Sequence, residues 1–207
     1  MNTNPTRSAI AGFWGAGERR AWLPIALLVA TLTPAFADNI AVHFDPAHTE
    51  VNFTLSDVLH TVHGIFHLKT GDIQFDPATG KATGRLVVDA ASGDSGSKAR
   101  DGRMHRNILE SSKFTEITFT PDRVDGKVTL DGDSQVQVHG TFNLHGSAHE
   151  LTIPVQVHAA NQQVTVATRF NVPYVKWGLK NPSTLFLRVG DQVQIDIRAA
   201  GTITSTS

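Results

Sequence analysis

The chain has 207 residues and no cysteine; 18 basic and 19 acidic side chains leave a formal net charge of −1, with ten histidines besides. The lack of cysteine excludes disulfides, a thiolate nucleophile and a thiolate-held metal. Charge this evenly balanced leaves no footprint for nucleic acid or an anionic membrane surface, so neither is expected as a partner.

Residues 1–37 read as a signal peptide. Arg7, Arg19 and Arg20 supply a positive start, residues 21–32 form an apolar run too short to span a bilayer comfortably, and Ala35, Phe36 and Ala37 make a small-x-small cleavage signal. Cleavage before Asp38 would export the chain to the periplasm, with no stable membrane insertion afterwards. Arg19 and Arg20 leave the general and twin-arginine routes both open. The remaining 170 residues, 38–207, suffice for one domain with its own core. That part keeps 15 basic and 18 acidic side chains, a formal charge of −3, and all ten histidines.

From here the chain alternates with a period of two, the mark of half-buried strands. Val42 and Phe44 share a face, and a turn is expected over residues 45–48. Val51, Phe53 and Leu55 follow, the pattern breaks over 57–64, and Gly64 could supply an unusual backbone angle there. Phe66, Leu68, Ile73 and Phe75 resume it, with a bend at Thr70 and Gly71 and a Pro-and-Gly turn over 76–80. Leu86, Val87 and Val88 head a strand that runs into a Ser/Gly segment, 91–97. Residues 97–114 stop the alternation: a cationic, helix-capable patch carries Arg100, Asp101, Arg103, His105 and Arg106, with Met104, Ile108 and Leu109 threaded through it.

Ile117 and Phe119 form a short strand expected to end at Pro121. Residues 124–130 read as a hairpin arm turned at 131–133. Val136, Val138, Phe142 and Leu144 follow, interrupted by Gly140, which marks a bulge or a close approach. A turn at 145–147 leads to Leu151, Ile153, Val155 and Val157, then Val164, Val166 and Phe170. A second irregular stretch spans 173–183, and Val193, Ile195 and Ile197 close the chain. Roughly eight to ten strands without βαβ spacing make the class all-β and antiparallel, a barrel or a sandwich. A long regular meander favours closure, giving an extended lipocalin-like barrel of about eight strands with a short helical insertion. Its apolar lumen would be lined by Phe53, Leu55, Phe66, Leu68, Phe119, Phe142 and Leu144, with Met104 and Leu109 from the patch.

Catalytic patterns fail on inspection. Gly93, Asp94, Ser95 and Gly96 resemble a serine-protease nucleophile segment, but Ser97 follows where a glycine is needed, and the chain lacks a matching histidine segment. The acidic residues fall mostly in turns, where they satisfy backbone donors. His63 and His67 would share a strand face, with His60, His105, His145 and His149 near the turns. A metal- or haem-related accessory role is therefore the alternative, although no compact ligand set such as HExxH is present. No cofactor is expected.

Four segments together resemble the YceI-like family, exported lipocalin-like proteins associated with binding polyisoprenoid lipids. The first holds Phe44, Asp45, Val51, Asn52 and Phe53, then Gly64, Ile65, Phe66 and Gly71, Asp72, Ile73. The second holds Arg100, Asp101, Met104 and His105, then Phe114, Ile117 and Phe119. The third runs over 140–146 into 151–154, and the last joins Phe170, Asn171, Val172, Pro173 to Trp177, Gly178 and 189–193. The resemblance implies a barrel holding an amphipathic polyisoprenoid or fatty ligand, without catalytic residues. On that footing Arg100, Arg103, His105 and Arg106 form a polar mouth able to meet a phosphate or carboxylate head group, and Trp177 anchors a second rim. A homodimer is neither required nor excluded.

Overall fold

The computed structural model describes residues 39–56, 61–184 and 188–206. The expected signal peptide and His60 lie outside them. Eight strands, β1 (Asn39–Ser56), β2 (Thr61–Phe75), β3 (Ala82–Asp94), β4 (Glu116–Asp125), β5 (Gly132–Leu144), β6 (Ser147–Ala160), β7 (Gln163–Val172) and β8 (Val193–Thr206), run antiparallel in chain order. β8 pairs back onto β1, from Asn39 opposite Thr206 to Thr54 opposite Gln194, and closes the barrel. The all-β antiparallel barrel expected from the alternation is the fold. Its helical insertion is α1 (Lys98–Arg103), continued by a π-helical turn, Met104–Ile108.

Several strands run longer than their local signals suggest. The expected turn over 45–48 is a bulge inside β1, where the pairing shifts between Phe44 and Thr49. Asp45 makes the detour tolerable. Its carboxylate meets the His48 ring at 2.6 Å and accepts the Ala47 N–H at 2.8 Å, and these two hydrogen bonds hold it below the usual carboxylate pKa. Pro121 does not end β4 but sits at a register shift opposite Gly140, a place where the missing N–H costs no ladder bond. The arm expected over 124–130 is instead the end of β4 and a connection into β5. The Ser/Gly segment extends β3 as far as Asp94, with the Ser92 hydroxyl accepting the His67 N–H at 2.8 Å across a bulge. The turns at His145–Gly146 and Asn161–Gln162 both take positive φ at two successive residues, the twist that suits tight hairpins.

One end of the barrel is flared. β3 and β4 pair only from Leu86 with Phe119 to Asp89 with Glu116, and the helical insertion occupies the gap above. β6 and β7 pair only from Val155 with Thr168 to Ala160 with Gln163, so residues 147–154 have no ladder partner on that side among the described residues. Trp177, from the stretch after β7, reaches this second gap and contacts Phe142 and His149. The opposite end is closed by a buried cluster that includes Ile40, Phe44, Phe75, Val164 and Ile203.

Glycines decide where the inward rings lie. A Cβ on Gly64 would stand 2.3 Å from the Phe53 ring, so Gly64, which has no positive φ, serves as a seat for that ring rather than as a hinge. Gly93 seats Phe66 and the Met104 methyl at 2.6 and 2.7 Å, and Gly140 seats Phe119 at 2.9 Å. A Cβ at Gly140 would also meet the Thr120 carbonyl at 2.4 Å, which is backbone and cannot swing aside. Gly140→Ala should therefore cost about 1–3 kcal/mol, lowering the urea midpoint without changing the slope. An unchanged midpoint would refute the close packing of β4 on β5.

Candidate functional site

The flared end encloses a chamber of about 460 Å³, within the size range of small-ligand sites. Phe53, Leu55, Val62, Phe66, Phe142, Leu144, Val172, Val193 and Ile195 line it from the strands. Ser97, Ala99, Arg100, Arg103, Met104, Ile108 and Leu109 line it from the insertion. Tyr174, Leu179, Pro182 and Val189 come from the stretch after β7. A second chamber of about 200 Å³ lies deeper, with Leu68, Phe119, Phe44, Val164 and Ile203 among its walls and no charged residue in its lining. Phe142 and Ile117 line both.

The insertion is pinned at each end. Asp101 accepts the Ser95 N–H at 3.0 Å and the Ser95 hydroxyl. Partial burial pushes the Asp101 carboxyl up, but the two Ser95 hydrogen bonds and the Arg100 charge beside it outweigh that and hold it below the usual range. Arg100 is committed to the same turn, donating to the Ser95 hydroxyl and carbonyl, each at 2.7 Å. Further on, His105 places Nε2 2.9 Å from the Gly93 carbonyl, which can only accept, so Nε2 carries the proton. Its Nδ1 lies 3.2 Å from the Ser111 hydroxyl. Glu110 meets the His145 ring at 2.7 Å and docks the insertion on the β5–β6 hairpin. The Leu109 N–H donates to the Met104 carbonyl at 2.9 Å, five residues back, and this wider turn sets Met104, Ile108 and Leu109 all on the chamber.

The sequence-derived residues thus separate into three groups. Phe53, Leu55, Phe66, Met104, Leu109, Phe142 and Leu144 line the upper chamber, with Arg100 and Arg103 its charged residues. Leu68 and Phe119 belong to the lower one. His105, Arg106 and Trp177 line neither. His105 is a clamp, Arg106 lies against Gly102, and Trp177 stacks on His149 with ring centres 4.1 Å apart. Arg103 has no hydrogen bond or ion pair among the described residues, so its guanidinium is the uncommitted cation of the chamber lining. Sequence reasoning passed over Ile117, Val193 and Ile195 as site residues, although the same alternation marks them. Tyr174 carries no such signal, because irregular backbone delivers it.

The described histidines do not converge on one site. His63 and His67 share a face of β2, but four residues along a strand stand about 13 Å apart, too far for one ion. His63 lies instead 3.1 Å from the Thr54 hydroxyl. Among the described residues the metal-sized group is Asp122, His139 and Glu150. There the two ring nitrogens each face a different carboxylate, at 2.8 and 3.3 Å, on opposite edges of the imidazole. The ring thus links three neighbouring strands, β4, β5 and β6.

A sequence profile described as the YceI-like domain matches residues 43–200. A UPF0312 protein of Vibrio cholerae is 29% identical over 141 residues, covering 65% of this chain and 72% of its own. Among solved structures, BcnA of Burkholderia cenocepacia superposes with a TM-score of 0.65 at 19% identity, covering 77% of this chain and 99% of its own. A polyisoprenoid binding domain from Saccharophagus degradans, implicated in plant cell wall breakdown, gives 0.57 at 18% identity, covering 79% and 98%. At these identities the two structures speak for the fold.

Tyr174 is the chain's single tyrosine, so its ionisation can be followed directly by ultraviolet absorbance. Its hydroxyl donates to the Gly190 carbonyl at 2.6 Å. Burial, and then the negative charge of Asp191, push its pKa up to about 12. Because that lies above the ordinary value of about 10, the stabilisation is complete below pH ~10 and is lost as pH rises through the folded pKa. The phenolate should appear with a midpoint near 12 in the folded chain. A midpoint near 10 would show that Tyr174 is not buried against the chamber.

Proposed function

The chain belongs to the YceI-like domain family, and on that footing we propose that it binds an amphipathic lipid, with the chain in the apolar chamber and the head group beside Arg103. One observation carries the reading: an apolar lining with a single uncommitted cation among the described residues. Hydrocarbon entering such a space gains roughly 0.8 kcal/mol per methylene, so about ten methylenes approach the ~8 kcal/mol of micromolar binding before association costs. A polyisoprenoid or long fatty chain suits that arithmetic, and the polyisoprenoid binding domain of the Saccharophagus neighbour supports the isoprenoid choice. We read the setting as the periplasm and the role as a carrier, because residues 1–37 have the pattern of a cleaved export signal. The family and the polyisoprenoid binding domain of the Saccharophagus neighbour support binding rather than catalysis as the role.

Displacement of a fluorescent lipid from the purified protein by palmitate and by hexadecanol tests this. Both chains should compete, since the chamber supplies most of the affinity. A partly exposed charge-assisted contact contributes on the order of 1 kcal/mol, so Arg103→Gln should weaken palmitate about fivefold and leave hexadecanol unchanged. Failure of both lipids to compete with the wild-type protein would end the lipid-binding reading. Equal loss for both in the variant would remove Arg103 from the head-group role.

A further inference from the structure

The two chambers differ in chemistry and meet at one place. The upper one, about 460 Å³, has Arg100 and Arg103 in its lining; the lower one, about 200 Å³, has hydrocarbon and threonine only among its strand side chains, apart from backbone-rich Pro121. On its own the lower chamber is smaller than an ordinary ligand site, which runs from about 300 Å³ upwards. It makes sense as an extension reached from above. Phe142 on β5 and Ile117 on β4 are the residues that line both spaces. β4 and β5 are paired neighbours, Phe119 standing opposite Phe142, so the two side chains form one shelf on one wall.

Phe142 differs from three of the other inward rings, Phe53, Phe66 and Phe119. Each of these three lies back over a glycine of a neighbouring strand, which clears the lumen. No glycine seats Phe142 in this way. It is held instead by rings: Phe170, edge-on at 6.3 Å, and Trp177 at 5.7 Å. Trp177 lines neither chamber and is itself stacked on the His149 imidazole, their planes 3° apart. This stack blocks the retreat of the Phe142 ring from the lumen.

We infer that Phe142, with Ile117 beside it, is a chain-length ruler: it divides the lumen and sets how much hydrocarbon a single-chain amphiphile can bury before it must pass into the lower chamber. The inference rests on the lipid-binding reading and names the residue that sets its selectivity. Head group and tail are thereby also oriented, with the polar end at the insertion and the chain end at the shelf.

The test is a series of straight-chain fatty acids from decanoate to stearate, bound to the full chain and followed by calorimetry, with thermal unfolding of each variant as a folding control. In the wild type, affinity rises with chain length and then levels off. Phe142→Leu, and Phe142→Ala where it folds, should move the plateau to longer chains and raise the stearate-to-decanoate affinity ratio about tenfold or more, the equivalent of two extra buried methylenes. Ile117→Phe, which thickens the shelf without emptying it, should move the plateau to shorter chains. Folded variants that bind with the wild-type plateau would overturn the ruler while leaving lipid binding intact. A wild-type chain that binds none of the acids would overturn the lipid-binding reading and the ruler with it.

Discussion

Closure of the sheet through β1 and β8 is the constraint on which everything else depends. Once β8 is hydrogen-bonded along β1, every strand has two partners over part of its length, and each period-two alternation must point the same residues inward. An eight-strand barrel then has an interior wide enough for its own side chains or for one small ligand. Which of the two occurs is settled side chain by side chain. At one end Ile40, Phe44, Phe75 and Ile203 cluster and leave only the smaller chamber. At the other, Phe53 and Phe66 lie back over Gly64 and Gly93, and space is left.

The flare at that end has two causes and two covers. Pairing between β3 and β4 stops above Asp89, and pairing between β6 and β7 stops above Val155. The cationic insertion covers the first gap, and the stretch carrying Tyr174 and Trp177 reaches the second. Both are fixed by hydrogen bonds from groups that could otherwise have served a ligand. Arg100 is spent on Ser95, His105 on Gly93 and Ser111, and the Tyr174 hydroxyl on Gly190. What is left over is Arg103. A single free cation among the described residues, above an apolar space, selects for molecules with one polar end and one long apolar one.

The strand pattern was largely legible because alternation is a local property of the sequence. Phe53 and Leu55, Phe66 and Leu68, Phe142 and Leu144 could be placed inward without knowing their partners. Their division between two chambers could not, since it depends on which rings rest on which glycines across strands. Gly64 illustrates the point: its break in the pattern suggested a backbone angle, whereas its missing side chain is what matters. Asp45 and Pro121 looked like stops because both favour turns; pairing on each side carries the strand through them as bulges. In the cationic patch, residue type alone could not separate Arg103 from Arg100 or His105. That distinction lies in hydrogen bonds to Ser95 and Gly93, which only the folded chain brings close.

The central claim is that the chamber exists to be occupied by one amphiphile. Native mass spectrometry of protein isolated from the cells that make it, followed by organic extraction of whatever is released, tests this most directly. The account predicts a mass excess of near one molecule per chain, extracting into the organic phase as a single-chain lipid with a polar end. A chain that arrives with its chamber empty, or with a metal ion in place of a lipid, would contradict it.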